Sequence, residues 1–112
     1  MKETTTSGER KTFRYEGSLQ KGFKLYFERS STEIPARMFF AILENFSGQS
    51  VIGGFDRDNP PAEGIGYFIQ QYSSTKLQDN ILPLNGTHII AILRDENFVN
   101  VRIEGSKVIV DF

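Results

Sequence analysis

The spacing of apolar residues changes period along the chain, and each change marks an element. Near the start, Phe13 and Tyr15 alternate with polar residues, and Phe23, Leu25 and Phe27 do so again beyond a segment bounded by Gly17 and Gly22. Alternation with period two on both sides of a Gly-containing loop predicts a strand pair. From residue 35 the period lengthens: Met38, Phe39, Ile42, Leu43 and Phe46 share one face of a helix over 35–47. Pro35 suits a first helical position and disfavours helical geometry in Ile34, while Gly48 can take the left-handed conformation that stops a helix. Ile65, Phe68, Ile69 and Tyr72 repeat the spacing and predict a second helix over 61–73, opened by Pro60-Pro61. Gly64 and Gly66 weaken it, each by about 1 kcal/mol relative to Ala. Asn85 is placed to cap a third helix over 85–96, with Ile89, Ile92 and Leu93 as its core face.

The C-terminal stretch 98–112 returns to period two. With Gly105-Ser106 as a two-residue turn, Glu104 faces Lys107, Ile103 faces Val108, Val101 faces Val110 and Val99 faces Phe112. This register gathers six apolar side chains on one face and leaves Asn100, Arg102, Glu104, Lys107, Ile109 and Asp111 on the other. A slip of one residue would destroy the separation, so the register is well specified.

Residues 1–11 are polar, with a Thr run and no periodicity, and are expected to be a disordered tail ahead of one domain over 12–112. A chain of 112 residues buries roughly 65% of its unfolded surface. Ten Phe and four Tyr supply bulky core material. The absence of Cys excludes disulfides and thiolate metal sites. MKETTTSGERK contains no apolar run, so neither a signal peptide nor a membrane span is expected, and the expected location is cytoplasmic. Charge is divided unevenly: residues 1–37 carry eight Lys or Arg against five Glu, and residues 38–112 carry five against nine acids.

Ile92-Leu93-Arg94-Asp95-Glu96-Asn97-Phe98-Val99, followed by Arg102-Ile103-Glu104-Gly105-Ser106-Lys107-Val108, resembles the recognition-helix end and wing of the bacterial arsenical-resistance and multiple-antibiotic-resistance repressor families. The resemblance covers about 25 residues. It implies an α+β winged helix-turn-helix with three helices, an N-terminal strand pair and a C-terminal hairpin wing. Two departures stand out: Asn97 replaces the usual Gly at the helix stop, and the 73–84 connection is longer than the usual tight turn.

On that reading Asn85, Thr87, His88 and Arg94 of helix three and Arg102 and Lys107 of the wing are the candidate nucleic-acid contacts. Arg10, Lys11 and Arg14 could add a basic arm. Asp95, Glu96, Glu104 and Asp111 lie in the same region and repel phosphate, so duplex binding is expected to be weak and salt-dependent. The alternative is a protein-contact or self-associating module on the same scaffold, with Phe40 and Ile109 as exposed apolar candidates.

No catalytic, cofactor or metal site is expected. His88 is the single histidine and has no nucleophile or orienting carboxylate at short sequence range. Asp56-Arg57-Asp58 begins like a calcium loop, but Pro60 and Pro61 stand where a ligand and the turn glycine belong. Gly64-Ile65-Gly66 lacks the third glycine of a dinucleotide loop.

Overall fold

The computed structural model describes residues 1–8 and 10–112. The class is mixed α+β: three α-helices and two antiparallel sheets. The first sheet is a four-stranded meander, ordered β1-β2-β3-β4, of β1 (Lys2–Thr5), β2 (Thr12–Ser18), β3 (Gly22–Tyr26) and β4 (Ser31–Ile34). Its period-two alternation sorts the two faces. Phe13, Tyr15, Phe23, Leu25 and Ile34 are buried, while Arg14, Glu16 and Glu33 are exposed on the other side.

The expected strand pair is therefore half of a larger sheet, and the expected disordered tail holds a strand. Lys2, Glu3, Thr4 and Thr5 pair with Tyr15, Arg14, Phe13 and Thr12. Threonine favours strands and supplies hydroxyl partners, and Thr4 and Thr6 are both buried. A polar composition concealed an ordered edge strand.

Helix α1 (Ala36–Asn45) follows extended Pro35 and buries Met38, Phe39 and Ile42. Gly48, at φ +75°, turns the chain beyond it. Between α1 and the next helix, where the pattern predicts no element, lies β5 (Ser50–Ile52), three residues that are too few to show alternation. Helix α2 (Ile65–Tyr72) starts four residues later than the expected 61, with Pro60-Pro61 outside it. The reason is a close approach at Gly66, whose N–H donates to Gly53 O at 2.9 Å. A Cβ at Gly66 would lie 2.2 Å from the carbonyl oxygen of Gly54. The glycine that weakens the helix on propensity is required by this contact.

The long polar connection is ordered about Ser73, which is fully buried. A π-turn runs over Ser73–Leu77 and ends at Gln78 with φ +51°. The Ser73 carbonyl accepts the Asp79 N–H at 3.0 Å, and Ser73 Oγ accepts the Ile81 N–H at 2.7 Å. A 3-10 turn over Pro83–Asn85 then leads into α3 (Gly86–Asp95). Asn85 does not cap α3 through its side chain, because it belongs to the preceding turn and has φ −66° and ψ −13°. Instead Thr87 Oγ1 donates to Leu84 O at 2.9 Å. At the other end Asn97 takes φ +67°. Asn97 N–H bonds Arg94 O at 3.1 Å and Phe98 N–H bonds Leu93 O at 2.8 Å, the paired bonds of a Schellman stop.

The chain closes with β6 (Asn100–Glu104) and β7 (Lys107–Asp111) in the expected register, Glu104 opposite Lys107, Ile103 opposite Val108 and Val101 opposite Val110. The ladder ends at Asn100 opposite Asp111, so Val99 and Phe112 lie just beyond it. β5 joins β7, giving the sheet order β5-β7-β6. Burial along the apolar face of the hairpin is graded: Val110 is fully buried, Val101 half-buried and Ile103 51% exposed near the tip. One continuous core takes side chains from both sheets and all three helices.

Candidate functional site

Helix α3 is central rather than superficial. Gly86, Ile89, Ile90, Ala91, Ile92 and Leu93 are all buried. At 3.6 residues per turn, His88, Ala91 and Arg94 fall on the side of α3 away from Ile89 and Leu93. That side meets the first sheet. The His88 ring stands edge-on to Phe13, with centroids 5.0 Å apart, and lies 4.9 Å from Phe27.

Arg94 is held by the N-terminal strand and the turn that follows it. Its Nη1 donates to Ser7 Oγ at 2.9 Å, and its Nη2 donates to Thr4 Oγ1 at 3.0 Å and to Thr5 O at 2.6 Å. Nε pairs with Asp95 at 3.1 Å. Five fixed donors in a planar fork suit Arg94 to several acceptors at once. One residue beyond the helix, Glu96 accepts from Lys2 Nζ at 2.7 Å and from the Tyr15 hydroxyl at 2.8 Å. The Lys2 bond, aided by Tyr15, holds the Glu96 carboxyl below the ordinary carboxylate range. Burial, then the bond to Glu96, pushes the Tyr15 hydroxyl well above the ordinary tyrosine range.

Of the polar side chains expected to face a ligand from α3, Arg94 and His88 thus contact the first sheet. For Arg94 the covering strand lies more than 80 residues earlier, in a segment without a periodic signal. Arg94 to Thr4 spans 90 positions.

Some of the other candidates come together and some do not. A cleft of about 560 Å³ brings Thr87, His88 and Lys11 together beside the hairpin tip at Gly105 and Ser106. Arg10, exposed and at φ +59°, lines a neighbouring recess with Arg94 and Ile103. Asn85 sits in the 3-10 turn. Arg14 is on the outer face of the first sheet, and Lys107 is exposed on the polar face of the hairpin. Arg102 is drawn into the fold's own ion pairs, reaching Asp111 at 3.0 Å and also touching Glu104. Asp111 accepts from Ser50 Oγ as well, and these two partners, Ser50 first, hold its carboxyl below the ordinary range.

Among the described residues no group of three or more His, Cys, Asp or Glu gathers as a metal site. No helix among them is long and apolar enough to cross a membrane.

Two further surface features remain, and the sequence points only to Phe40 in the first. One is a groove of about 770 Å³ between α1 and the α2 end, where Phe40, 47% exposed, lies near Phe68 and Tyr72. Phe40 is exposed as expected, whereas Ile109 is half-buried. The other is the outer edge of β6. A two-residue turn makes Glu104 and Lys107 a hydrogen-bonded pair, so Arg102 and Asn100 also bond towards β7. Consistently, β7 turns the alternate residues to β5: the Gly53 N–H reaches Val108 O and the Phe112 N–H reaches Gln49 O, both at 2.9 Å. The main-chain groups of Val101 and Ile103 therefore point outwards from the last strand of the sheet.

Comparison with family models, with curated proteins and with solved structures finds no significant match to this chain.

Proposed function

We propose that the protein is a non-enzymatic protein-contact module built on a winged-helix arrangement, self-association included. The order α1-β5-α2-α3-β6-β7, with strands arranged β5-β7-β6, supports the scaffold and accords with the resemblance at 92–108 to bacterial repressors. The observation that carries the reading is Arg94, whose guanidinium is spent on Thr4, Thr5, Ser7 and Asp95. His88 stacks against Phe13 and Phe27 on the same side. A duplex reader needs that side of the third helix free for a groove. On the hairpin, Arg102 is neutralised by Asp111 and Glu104.

The duplex-binding alternative rests on Arg10 and Lys11 in adjoining recesses beside the hairpin tip, on Lys107 next to that tip, and on Arg14 apart from them on the first sheet. Such cations supply a weak, sequence-independent affinity that salt removes.

The test is a fluorescence-anisotropy titration of a labelled nonspecific duplex at low and moderate salt. The expected result is weak binding at low salt that disappears at moderate salt. Submicromolar binding that survives moderate salt and is lost in His88→Ala would overturn the protein-contact reading.

A further inference from the structure

We propose that the outer edge of β6 pairs antiparallel with β6 of a second copy, about a two-fold axis at Ile103, joining two three-stranded sheets into one of six. The inference rests on the protein-contact reading and names its partner. Three observations support it. The outward N–H and C=O groups of Val101 and Ile103 form an edge that pairs with no strand among the described residues, at the end of the order β5-β7-β6. Ile103 is the most exposed large apolar side chain after Met1 among the described residues. Arg102 and Glu104 flank it with opposite charge on the opposite face of the strand.

Geometry selects the register. Only odd-numbered residues of β6 turn their main-chain groups outwards, so Val101 and Ile103 must meet odd-numbered positions of the other strand. An axis at Arg102 puts Arg102 opposite Arg102 of the second copy, which repels. An axis at Val101 sets Arg102 opposite Asn100 and pairs Ile103 with Val99, which is already buried. An axis at Ile103 puts each Arg102 opposite Glu104 of the other copy, Ile103 against Ile103, and Val101 opposite Gly105. This third register alone matches opposite charges and shields the exposed isoleucine. Charged residues on an edge usually discourage pairing. Here they are spaced to be self-complementary, as a two-fold interface requires.

The full chain contains no cysteine, which allows a clean test by crosslinking. A hydrogen-bonded antiparallel pair sets Cα atoms about 5.5 Å apart, inside the roughly 4.4–6.8 Å that a disulfide spans. Sedimentation velocity over a micromolar-to-millimolar series should show a reversible monomer–dimer equilibrium for the native chain. Oxidised Ile103→Cys should become a covalent dimer, and Glu33→Cys, on the far sheet, should not. Arg102→Glu and Glu104→Arg should each lose the dimer, and their equimolar mixture should recover it as a heterodimer. That recovery separates a failed interface from a failed fold. A native chain that stays monomeric throughout overturns the proposal. A dimer that Ile103→Cys does not crosslink also overturns it, while leaving a protein-contact role through another surface standing. Tight duplex binding lost in His88→Ala is the separate failure of the underlying reading.

Discussion

Arg94 on α3 and Thr5 on β1 are joined by a 2.6 Å hydrogen bond from a guanidinium nitrogen to a backbone carbonyl. The same nitrogen reaches Thr4 Oγ1, on a residue only 5% exposed. A cation that looks available to a ligand in the sequence is the clasp between the first strand and the last helix. Arg94→Ala would strand these acceptors, and a lost hydrogen bond to a charged group costs about 1.5–3 kcal/mol. Arg94→Lys should recover only part of this, because an ammonium cannot repeat the planar fork. Urea unfolding of the two variants measures the difference.

A second prediction concerns Gly66. On helix propensity alone, Gly66→Ala should stabilise α2 by about 1 kcal/mol. The added Cβ would meet Gly54 O at 2.2 Å and Pro83 Cβ at 3.1 Å. The backbone oxygen cannot swing away as a side chain could. The expected outcome is a loss of stability, seen as a lower melting temperature, despite the better helix former.

Two faces of the hairpin register can be separated by mutation. Val110 and Ile103 lie on the same face of the hairpin, yet Val110 is fully buried and Ile103 is 51% exposed. Val110→Asp places an unpaired charge in the core and should cost more than about 4 kcal/mol. Ile103→Asp should change monomer stability by less than about 0.5 kcal/mol, as surface substitutions do. Thermal melting of dilute protein distinguishes them.

The Glu96 cluster makes stability pH-dependent at both extremes. Folding lowers the Glu96 carboxyl, chiefly through Lys2, so its contribution is present above the unfolded value of about 4.3 and is lost as pH falls through the lower folded value. Folding raises the Tyr15 hydroxyl through burial and Glu96, so its contribution is present below the unfolded value of about 10 and fades as pH rises above that. Glu96→Gln should bring the Tyr15 titration down towards the ordinary range without fully restoring it, because burial remains. Absorbance of the tyrosinate band during an alkaline titration reads this directly.

Much of this architecture is legible in the sequence where local rules decide it. The β6–β7 register followed from side-chain alternation and a two-residue turn, and Asn97 took the left-handed stop that its position required. The α1 stripe at Met38, Phe39 and Ile42 is likewise set by helical spacing. What was hidden depends on distant partners. β1 shows no apolar alternation, since Thr4 is buried by its hydroxyl partners rather than by hydrophobicity. β5 is too short to have a period. The inward commitment of His88 and Arg94 depends on Phe13, Phe27, Thr4 and Thr5, none of them near α3 in sequence. Residue type marks His88 and Arg94 as candidate ligand contacts, but it does not reveal which side a fold closes.

The central claim is that the N-terminal strand closes the polar side of α3, and its most direct test is the melting temperature of a chain lacking residues 1–7. Removing β1 takes away its ladder with β2, three Arg94 hydrogen bonds and the Lys2–Glu96 pair. The expected loss is about 2–4 kcal/mol, which lowers the melting temperature by on the order of 10 °C or more in a domain of this size. A truncated chain that melts at the native temperature would contradict the account, because the first residues would then be the dispensable tail that their composition suggests.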